Sequence, residues 1–170
     1  KIENNNGVGE IIYTTDGSDP RQIGGIPSAT TYFSSSDVTI ELDHTTIIKS
    51  RIKNGANWSV LNEMVFAKKV EDYMNLKITE LHYHPLSVII EGDTIDAKDM
   101  EFIELKTTGN YAINISGLKV DTAVYYTVPQ LTVLPPANFY VIASKPEVFY
   151  DIYGMSPSGN YKGNLSKAGE

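Results

Sequence analysis

The chain of 170 residues contains no cysteine and a single tryptophan. Without cysteine, the protein cannot form disulfides, cysteine-ligated zinc sites, iron–sulfur clusters or a thiol nucleophile. Basic residues are also scarce, because 14 Lys and Arg stand against 21 Asp and Glu, which gives a formal net charge of −7 at pH 7. A surface of this charge repels nucleic acid and anionic membranes. We therefore expect no nucleic-acid partner.

Long apolar runs and catalytic signatures are missing as well. No segment approaches the roughly 18 consecutive apolar residues of a transmembrane helix, and the sequence starts at Lys1 in a polar stretch. We expect no membrane insertion and no signal peptide here, and a start at Lys instead of Met indicates a piece of a longer protein. The sequence also lacks a Gly-x-Ser-x-Gly motif, a P-loop and a dinucleotide-binding fingerprint. We predict no cofactor, no catalytic residue and no enzymatic activity.

The residues that are present favour β-strands. The chain has 11 Tyr and many Thr, Val and Ile, which suit a pleated and half-buried surface. Short apolar stretches separated by turn residues are typical of a sandwich or barrel, and residues 91–98 form a predicted acidic loop. The predicted strands cover residues 11–15, 30–33, 38–42, 48–53, 76–83, 100–105, 113–115, 117–120, 123–128 and 139–143.

One short helix interrupts this pattern in the second half. Ser144 and Glu147 have the spacing of a capping box, and Gly154 is a typical helix terminator. Between the halves, the alternation of apolar residues stops at the charged residues 68–75 and resumes at Leu76. We therefore predict two independently packed modules joined at this segment.

The second half resembles the lamin-tail domain, an immunoglobulin-like β-sandwich of nuclear lamins and of bacterial secreted or surface proteins. The resemblance rests on four segments in order, namely residues 78–85, 101–105, 113–118 and 134–142. Residues 106–108 depart from the family, which commonly has Asn after this Glu-Leu strand. The resemblance implies an immunoglobulin-like sandwich over residues 74–170, with the last strand of the family missing.

The first half is similar to the small C-terminal sandwich of chitobiases and β-hexosaminidases, whose marker is a strand that enters an Asp-Gly-Ser-x-Pro turn. In this sequence the turn consists of Asp16, Gly17, Ser18, Asp19 and Pro20. The similarity covers part of a module over residues 1–70, because the opening strands of the family would precede Lys1. Together the two resemblances imply tandem immunoglobulin-like sandwiches in an extracellular or cell-surface protein of bacteria.

Several polar residues are candidate metal ligands. Asp16 and Asp19 could bind calcium, but Asp is enriched in turns because it accepts backbone N–H groups, and we favour this structural role. His82 and His84 are two apart on a predicted strand and so face the same side, yet a zinc site needs at least three protein ligands. We predict no metal site from either pair.

The carboxylates of the second half have alternative roles too. Glu80 and Glu104 could form the acid pair of a glycosidase, but their place in the strand pattern favours cross-strand hydrogen bonding. The acidic stretch lacks the Gly and the terminal Glu of a calcium loop, so a solvated run of charge is favoured and calcium stays open. This stretch contains Glu91, Asp93, Asp96, Asp99 and Glu101.

Aromatic residues supply the alternative function. Trp58, Tyr125 and Tyr126 form a candidate ligand surface, because flat rings stack on sugars, although packing in the core is the more common role. The preferred prediction is a non-enzymatic structural or interaction module with a protein or glycan partner at the cell surface, and the alternative is a carbohydrate-binding module. Because strands expected at both ends are missing, we also expect open sheet edges and self-association through them.

Overall fold

A computed structural model describes residues 1–68, 73–90 and 92–165 of the chain. Most of the predicted joint between the halves, the acidic residue Glu91 and residues 166–170 lie outside this part. The predicted all-β class is confirmed, because about 42% of the chain is strand and about 9% is helical.

The first half forms one antiparallel sheet. Its strands are β1 (Glu10–Thr14), β2 (Tyr32–Ser34), β3 (Thr46–Asn54), β4 (Asn57–Trp58) and β5 (Asn62–Phe66). The strand order is β2-β1-β3-β4, and β5 also pairs with β3. Ile11 and Ile12 are both fully buried, which shows that β1 is covered on both faces. Consecutive β-branched residues suit such a central strand.

The second half contains a four-stranded sheet and three smaller ones. In order along the chain, its strands are β6 (Leu76–His82), β7 (Val88–Ile90), β8 (Asp93–Ile95), β9 (Phe102–Thr107), β10 (Ile113–Asn114), β11 (Lys119–Asp121), β12 (Val124–Thr127), β13 (Val133–Leu134), β14 (Phe139–Ala143), β15 (Gly159–Asn160) and β16 (Lys162–Gly163). The large sheet has the order β15-β14-β9-β6, and the small ones are β10-β13, β11-β12-β16 and β7-β8. Only β14 and β15 are parallel among these described pairs.

The apolar core of the second half lies between these sheets. Its buried members come from β9 and β14 on one side and from β10, β12 and β13 on the other, so the layers face each other. The cluster consists of Ile103, Leu105, Ile113, Ile115, Val124, Val128, Leu134, Tyr140, Ile142 and Tyr161. In the first half, Ile47 and Ile48 are buried with the isoleucines of β1 and with Thr14, Thr45 and Thr46.

One α-helix occurs in the described ranges, α1 (Pro146–Tyr153), and it covers the outer face of the large sheet. Phe149 packs edge-on against Phe102 of β9, with 5.3 Å between the ring centroids. Gly154 ends the helix as predicted, with φ +69° and an N–H that donates to Tyr150 O. Short 3-10 turns occupy Tyr73–Asn75 and Ala97–Met100.

The predicted capping box at the start of α1 is wrong. Lys145 is the N-cap residue, and its side chain makes no capping hydrogen bond. Pro146 takes the first helical position, where a fixed φ and a missing N–H carry no cost. Ser144 N instead donates to Glu101 O at 2.9 Å, which ties the residue to the neighbouring strand segment.

The predicted strand over residues 38–42 is not formed. Val38 exchanges two backbone hydrogen bonds with Ile2, at 2.8 and 2.9 Å, but this is an isolated bridge. The alternation that predicted a strand arises because Ile40 and Leu42 face the cleft described below. An extended segment with one buried side shows the same alternation of apolar and polar residues as a β-strand. The alternation alone does not provide a neighbouring strand for the backbone to hydrogen-bond.

The predicted acidic loop over residues 91–98 is also wrong in part. β7 and β8 form a hairpin in which Ile89 is opposite Thr94, and the 3-10 turn follows. Gly92 has φ +94°, a conformation that glycine adopts without strain and that allows a tight reversal. Asp93 therefore lies within the hairpin and Asp96 follows it, and the pairing of the β-branched residues outweighs the charge of the segment.

Candidate functional site

The Asp16 to Pro20 turn is held by its own side chains. Asp16 Oδ1 accepts hydrogen bonds from Ser18 N at 2.9 Å and from Ser18 Oγ at 2.6 Å, and Asp19 Oδ1 accepts one from Arg21 N at 2.9 Å. Gly17 has φ +81°, where glycine is favoured. Side-chain oxygens therefore accept backbone N–H groups, which is the arrangement that the sequence predicted for this turn.

Arg51 on β3 fixes the second aspartate of the turn. Its Nε and Nη2 donate to the two carboxylate oxygens of Asp19 at 2.8 and 2.7 Å, and its Nη1 donates to Ser59 O at 2.7 Å. These bonds lower the pKa of Asp19 to about 2. Both oxygens of Asp19 are thus used in a bidentate ion pair, which competes with any cation for them.

The histidine and glutamate candidates of the second half lie in structural contacts. His82 stacks on Phe102 with 5.0 Å between centroids. Glu80 is directly opposite Glu104 across β6 and β9, and Glu104 Oε1 accepts a cross-strand hydrogen bond from Thr79 Oγ1 at 2.6 Å. Within the described residues, no three His, Asp or Glu side chains are grouped to hold a metal ion.

The three candidate aromatic residues do not form one platform. Trp58 belongs to β4 in the first half and is half-buried, and its Nε1 donates to Gly25 O at 3.0 Å. Tyr125 and Tyr126 are neighbours on β12 and therefore point to opposite faces. Tyr125 is 61% exposed, whereas the Tyr126 hydroxyl lies 2.7 Å from the Tyr140 hydroxyl. Burial and this contact raise the pKa of Tyr140.

A cleft of about 540 Å³ lies against one face of the first-half sheet. Residues 1–6 and 40–42 form its walls, and its apolar floor comes from alternate residues of β3 and β5. The floor includes Ile48 and Ile52 of β3 and Met64 and Phe66 of β5, and the polar rim includes Asn4 and Asn62. Sequence analysis missed this cleft, although the alternation of Asn62, Met64 and Phe66 was a usable signal.

Ion pairs hold the wall of the cleft in place. Lys1 Nζ lies 3.0 Å from both Glu3 Oε1 and Asp37 Oδ2, and these contacts raise the pKa of Lys1. Asn4 Nδ2 donates to Val8 O at 3.1 Å, which closes the first turn of the chain. The N-terminal segment is therefore attached to residues 37 and 38, and the floor stays open between the walls.

Comparisons with protein-family models, curated proteins and solved structures found no match. The two family resemblances therefore stay predictions. In the part of the chain that the structure describes, no helix has the length and apolar character that a membrane crossing requires.

Two edge strands expose apolar side chains. All five residues of β5 are exposed, and β5 pairs with β3 alone among the described strands. In the second half, β6 pairs with β9 alone within the part of the chain that the structure describes, and Ile78 and Leu81 on it are 66% and 49% exposed. Unpaired strand edges of this kind can bind another strand.

Proposed function

We propose that the chain is a non-enzymatic structural and interaction segment of an extracellular or cell-surface bacterial protein, in which the cleft binds an extended polypeptide. The two halves would correspond to the chitobiase C-terminal-like and lamin-tail-like modules indicated by the sequence. The observation that carries the proposal is the open edge of β5 beside a cleft with an apolar floor.

An extended polypeptide fits this edge by strand addition. In this mode, backbone hydrogen bonds supply affinity and pockets for alternate side chains supply specificity. Asn62, Met64 and Phe66 alternate along β5 and line the cleft, while the backbone of β5 has a described partner on one side only. The side-chain amides of Asn4 and Asn62 at the rim can hydrogen-bond to a peptide backbone.

The lining of the cleft favours a polypeptide over a sugar. Sugar rings stack on flat aromatic faces, and Phe66 is the one aromatic residue among the described lining residues. Of the aromatic candidates from the sequence, Tyr125 has the exposure that stacking requires, whereas Trp58 is only partly accessible. The carbohydrate-binding alternative therefore depends on Tyr125 in the second half.

The perturbed titratable groups support a non-enzymatic role. The lowered pKa of Asp19 is due to its structural partner Arg51. The pKa of Tyr161 is raised by burial and by the nearby Glu101 carboxylate, which itself accepts a hydrogen bond from Leu165 N at 3.0 Å. Asp19 and Tyr161 thus join segments of the fold and lie outside the cleft, whereas Lys1 and Arg51, whose pKa values are raised by their carboxylate partners, line it.

Fluorescence anisotropy with a labelled ten-residue peptide of alternating valine and threonine, flanked by lysines, tests the proposal. We expect micromolar binding that weakens at least tenfold in Met64→Lys, because the bound peptide would bury an unpaired charge on the floor. Ile23→Lys is the matched control, since Ile23 is fully exposed and lies outside the cleft. Absence of peptide binding, or retention on chitin, cellulose or peptidoglycan that Tyr125→Ala abolishes, would overturn the proposal.

A further inference from the structure

The free edge of β6 has an irregular alternation of side chains. The register with β9 shifts between Ile78 and Glu80, so Thr79 is an extra residue in this strand. Its hydroxyl donates to Glu104 Oε1 at 2.6 Å, which holds the irregularity in place. A β-bulge of this kind moves the following side chains to the opposite face.

The bulge places three apolar residues of β6 on the core face of the sheet. Ile78 is opposite Leu105 and Leu81 is opposite Ile103, and both partners belong to the core cluster. Leu76 packs against the same cluster. Yet Ile78 and Leu81 are 66% and 49% exposed, because the small sheets above the core do not extend over β6.

The opposite face of β6 carries an unfavourable pattern of charge. Lys77 is opposite Lys106, and Glu80 is opposite Glu104. Like charges directly across a strand pair are destabilising. Lys77 forms no ion pair with any described residue, and Glu80 has only a 3.9 Å contact with His82 Nδ1. Each charged residue of the edge therefore lacks a close partner of opposite sign.

We propose that a second copy of this chain pairs with β6 across its free edge, antiparallel and about a two-fold axis. In the proposed register, Lys77 of each copy is opposite Glu80 of the other, and Leu76 is opposite Leu81. The first pairing joins opposite charges and the second joins apolar side chains. Because of the two-fold symmetry, each contact occurs twice. The two large sheets would join into one.

The bulge is what makes this register possible. Directly opposite residues of two strands must point to the same face. Residues five positions apart in a regular strand point to opposite faces, but the extra residue brings Leu76 and Leu81 to one face of β6. For the same reason Lys77 and Glu80, three positions apart, share the other face. The segment is therefore complementary to itself.

A second copy explains this edge better than an unrelated strand does. A bulge and a lysine ordinarily protect an edge against pairing, because most incoming strands would meet a mismatch of face and charge. An antiparallel β6 from a second copy matches this edge both in the faces of its side chains and in their charges. The contact spans only one short strand, so a weak dimer with a micromolar dissociation constant is expected.

The proposed dimer rests on the proposed function only in that the chain is treated as an interaction segment, because the dimer contact is on β6 and not in the cleft. Sedimentation velocity of the 170-residue chain from micromolar to millimolar concentration measures the dimerisation directly. We expect a monomer–dimer equilibrium that Lys77→Glu or Glu80→Lys weakens at least tenfold. An equimolar mixture of the two variants, and the double variant with both charges exchanged, should dimerise like the original chain.

The single variants carry their own control for folding. Each places opposite charges across β6 and β9, so Lys77→Glu and Glu80→Lys should not lower the melting temperature of the dilute monomer. Met64→Lys in the cleft should leave the dimer unchanged, which separates this inference from the proposed peptide binding. A chain that stays monomeric at millimolar concentration, or a dimer that neither single variant weakens, would overturn the inference.

Discussion

The two halves of the molecule bury apolar and polar side chains in different proportions. The first half buries threonines beside its isoleucines, and their hydroxyls bond to the loop backbone: Thr14 Oγ1 donates to Ser18 O at 2.5 Å, and Thr45 Oγ1 accepts from Lys68 N at 2.8 Å. The second half buries a continuous apolar cluster that extends across two layers. A buried threonine also connects a loop to the sheet in the second half, where Thr107 Oγ1 donates to Pro135 O at 2.5 Å, so the halves differ mainly in the extent of their apolar cores.

This difference indicates what should destabilise each half. A hydrogen bond contributes about 1 kcal/mol net, whereas truncation of a buried isoleucine costs about 2–5 kcal/mol because a cavity remains. The second half should therefore respond most to loss of apolar volume. The first half should respond to loss of a polar partner and to acid, because Asp16 and Asp19 hold its turn.

The largest effect is expected for Ile142→Ala. Ile142 is fully buried on β14 between β9 and β15, so we expect a loss of about 2–5 kcal/mol in unfolding free energy. Urea unfolding can separate the halves, since Trp58 is the one tryptophan and reports on the first half through its fluorescence. The variant should shift the circular dichroism transition and leave the Trp58 transition in place.

The matched control for this experiment is Ile89→Ala, because Ile89 is 74% exposed and should change stability by less than about 0.5 kcal/mol. If Ile142→Ala shifts both transitions equally, the halves unfold as one unit and the two-module prediction is wrong.

A smaller, pH-dependent effect is expected for Asp19→Asn. The ion pair with Arg51 is partly exposed, so we expect a loss of about 1–2 kcal/mol at neutral pH. The pKa of Asp19 falls from an ordinary 3.8 to about 2 on folding. Its contribution is therefore fully present above pH 3.8 and is lost as the pH falls toward 2. Trp58 fluorescence should show the two proteins converging in stability over this interval.

Asp121→Asn provides the comparison for this pH dependence, because Asp121 is exposed in the second half. A constant difference between Asp19→Asn and the original chain from pH 5 to pH 2 would contradict the assigned role of the ion pair.

The smallest effect is expected for Asp16→Ala. Loss of the bonds from Ser18 to Asp16 should cost on the order of 1 kcal/mol, as for other local caps. Neither calcium nor EDTA should change the melting temperature of the original chain, because the turn is closed by protein donors. Glu41→Ala, at an exposed position, should be neutral. A marked shift with calcium would show that the turn holds an ion.

Sequence predicted the strands and turns that depend on neighbouring residues. β1 and β14 are β-branched or aromatic runs between turn residues, and the Asp16 turn closes on Ser18, two residues away. Residues 38–42 and Asp93–Ile95 were misassigned because strand formation requires a partner elsewhere in the chain. Val38 finds only Ile2, whereas β8 finds β7.

The candidate site depends even more on distant contacts. The cleft unites residues 1–6, 40–42 and 59–66, and no local pattern shows that these segments meet. Position in the sheet decides burial as well: β9 and β6 have similar residues, yet Ile103 is 4% exposed while its partner Leu81 is 49% exposed. The bulge at Thr79 likewise depends on pairing, so the self-complementary edge was visible only in the structure.

The parallel pairing of β15 with β14 is the shortest described pairing of the large sheet. Parallel neighbours require a crossover, and α1 is the crossover that brings Gly159 and Asn160 beside Ile142 and Ala143. β15 pairs with β14 over these two residues, whereas β9 and β14 pair over five, so fewer backbone hydrogen bonds hold β15 to the sheet. In native-state hydrogen exchange, we expect the amide protons that join β15 to the sheet to exchange before those between β9 and β14. The strand with the shortest pairing should thus be the first to open.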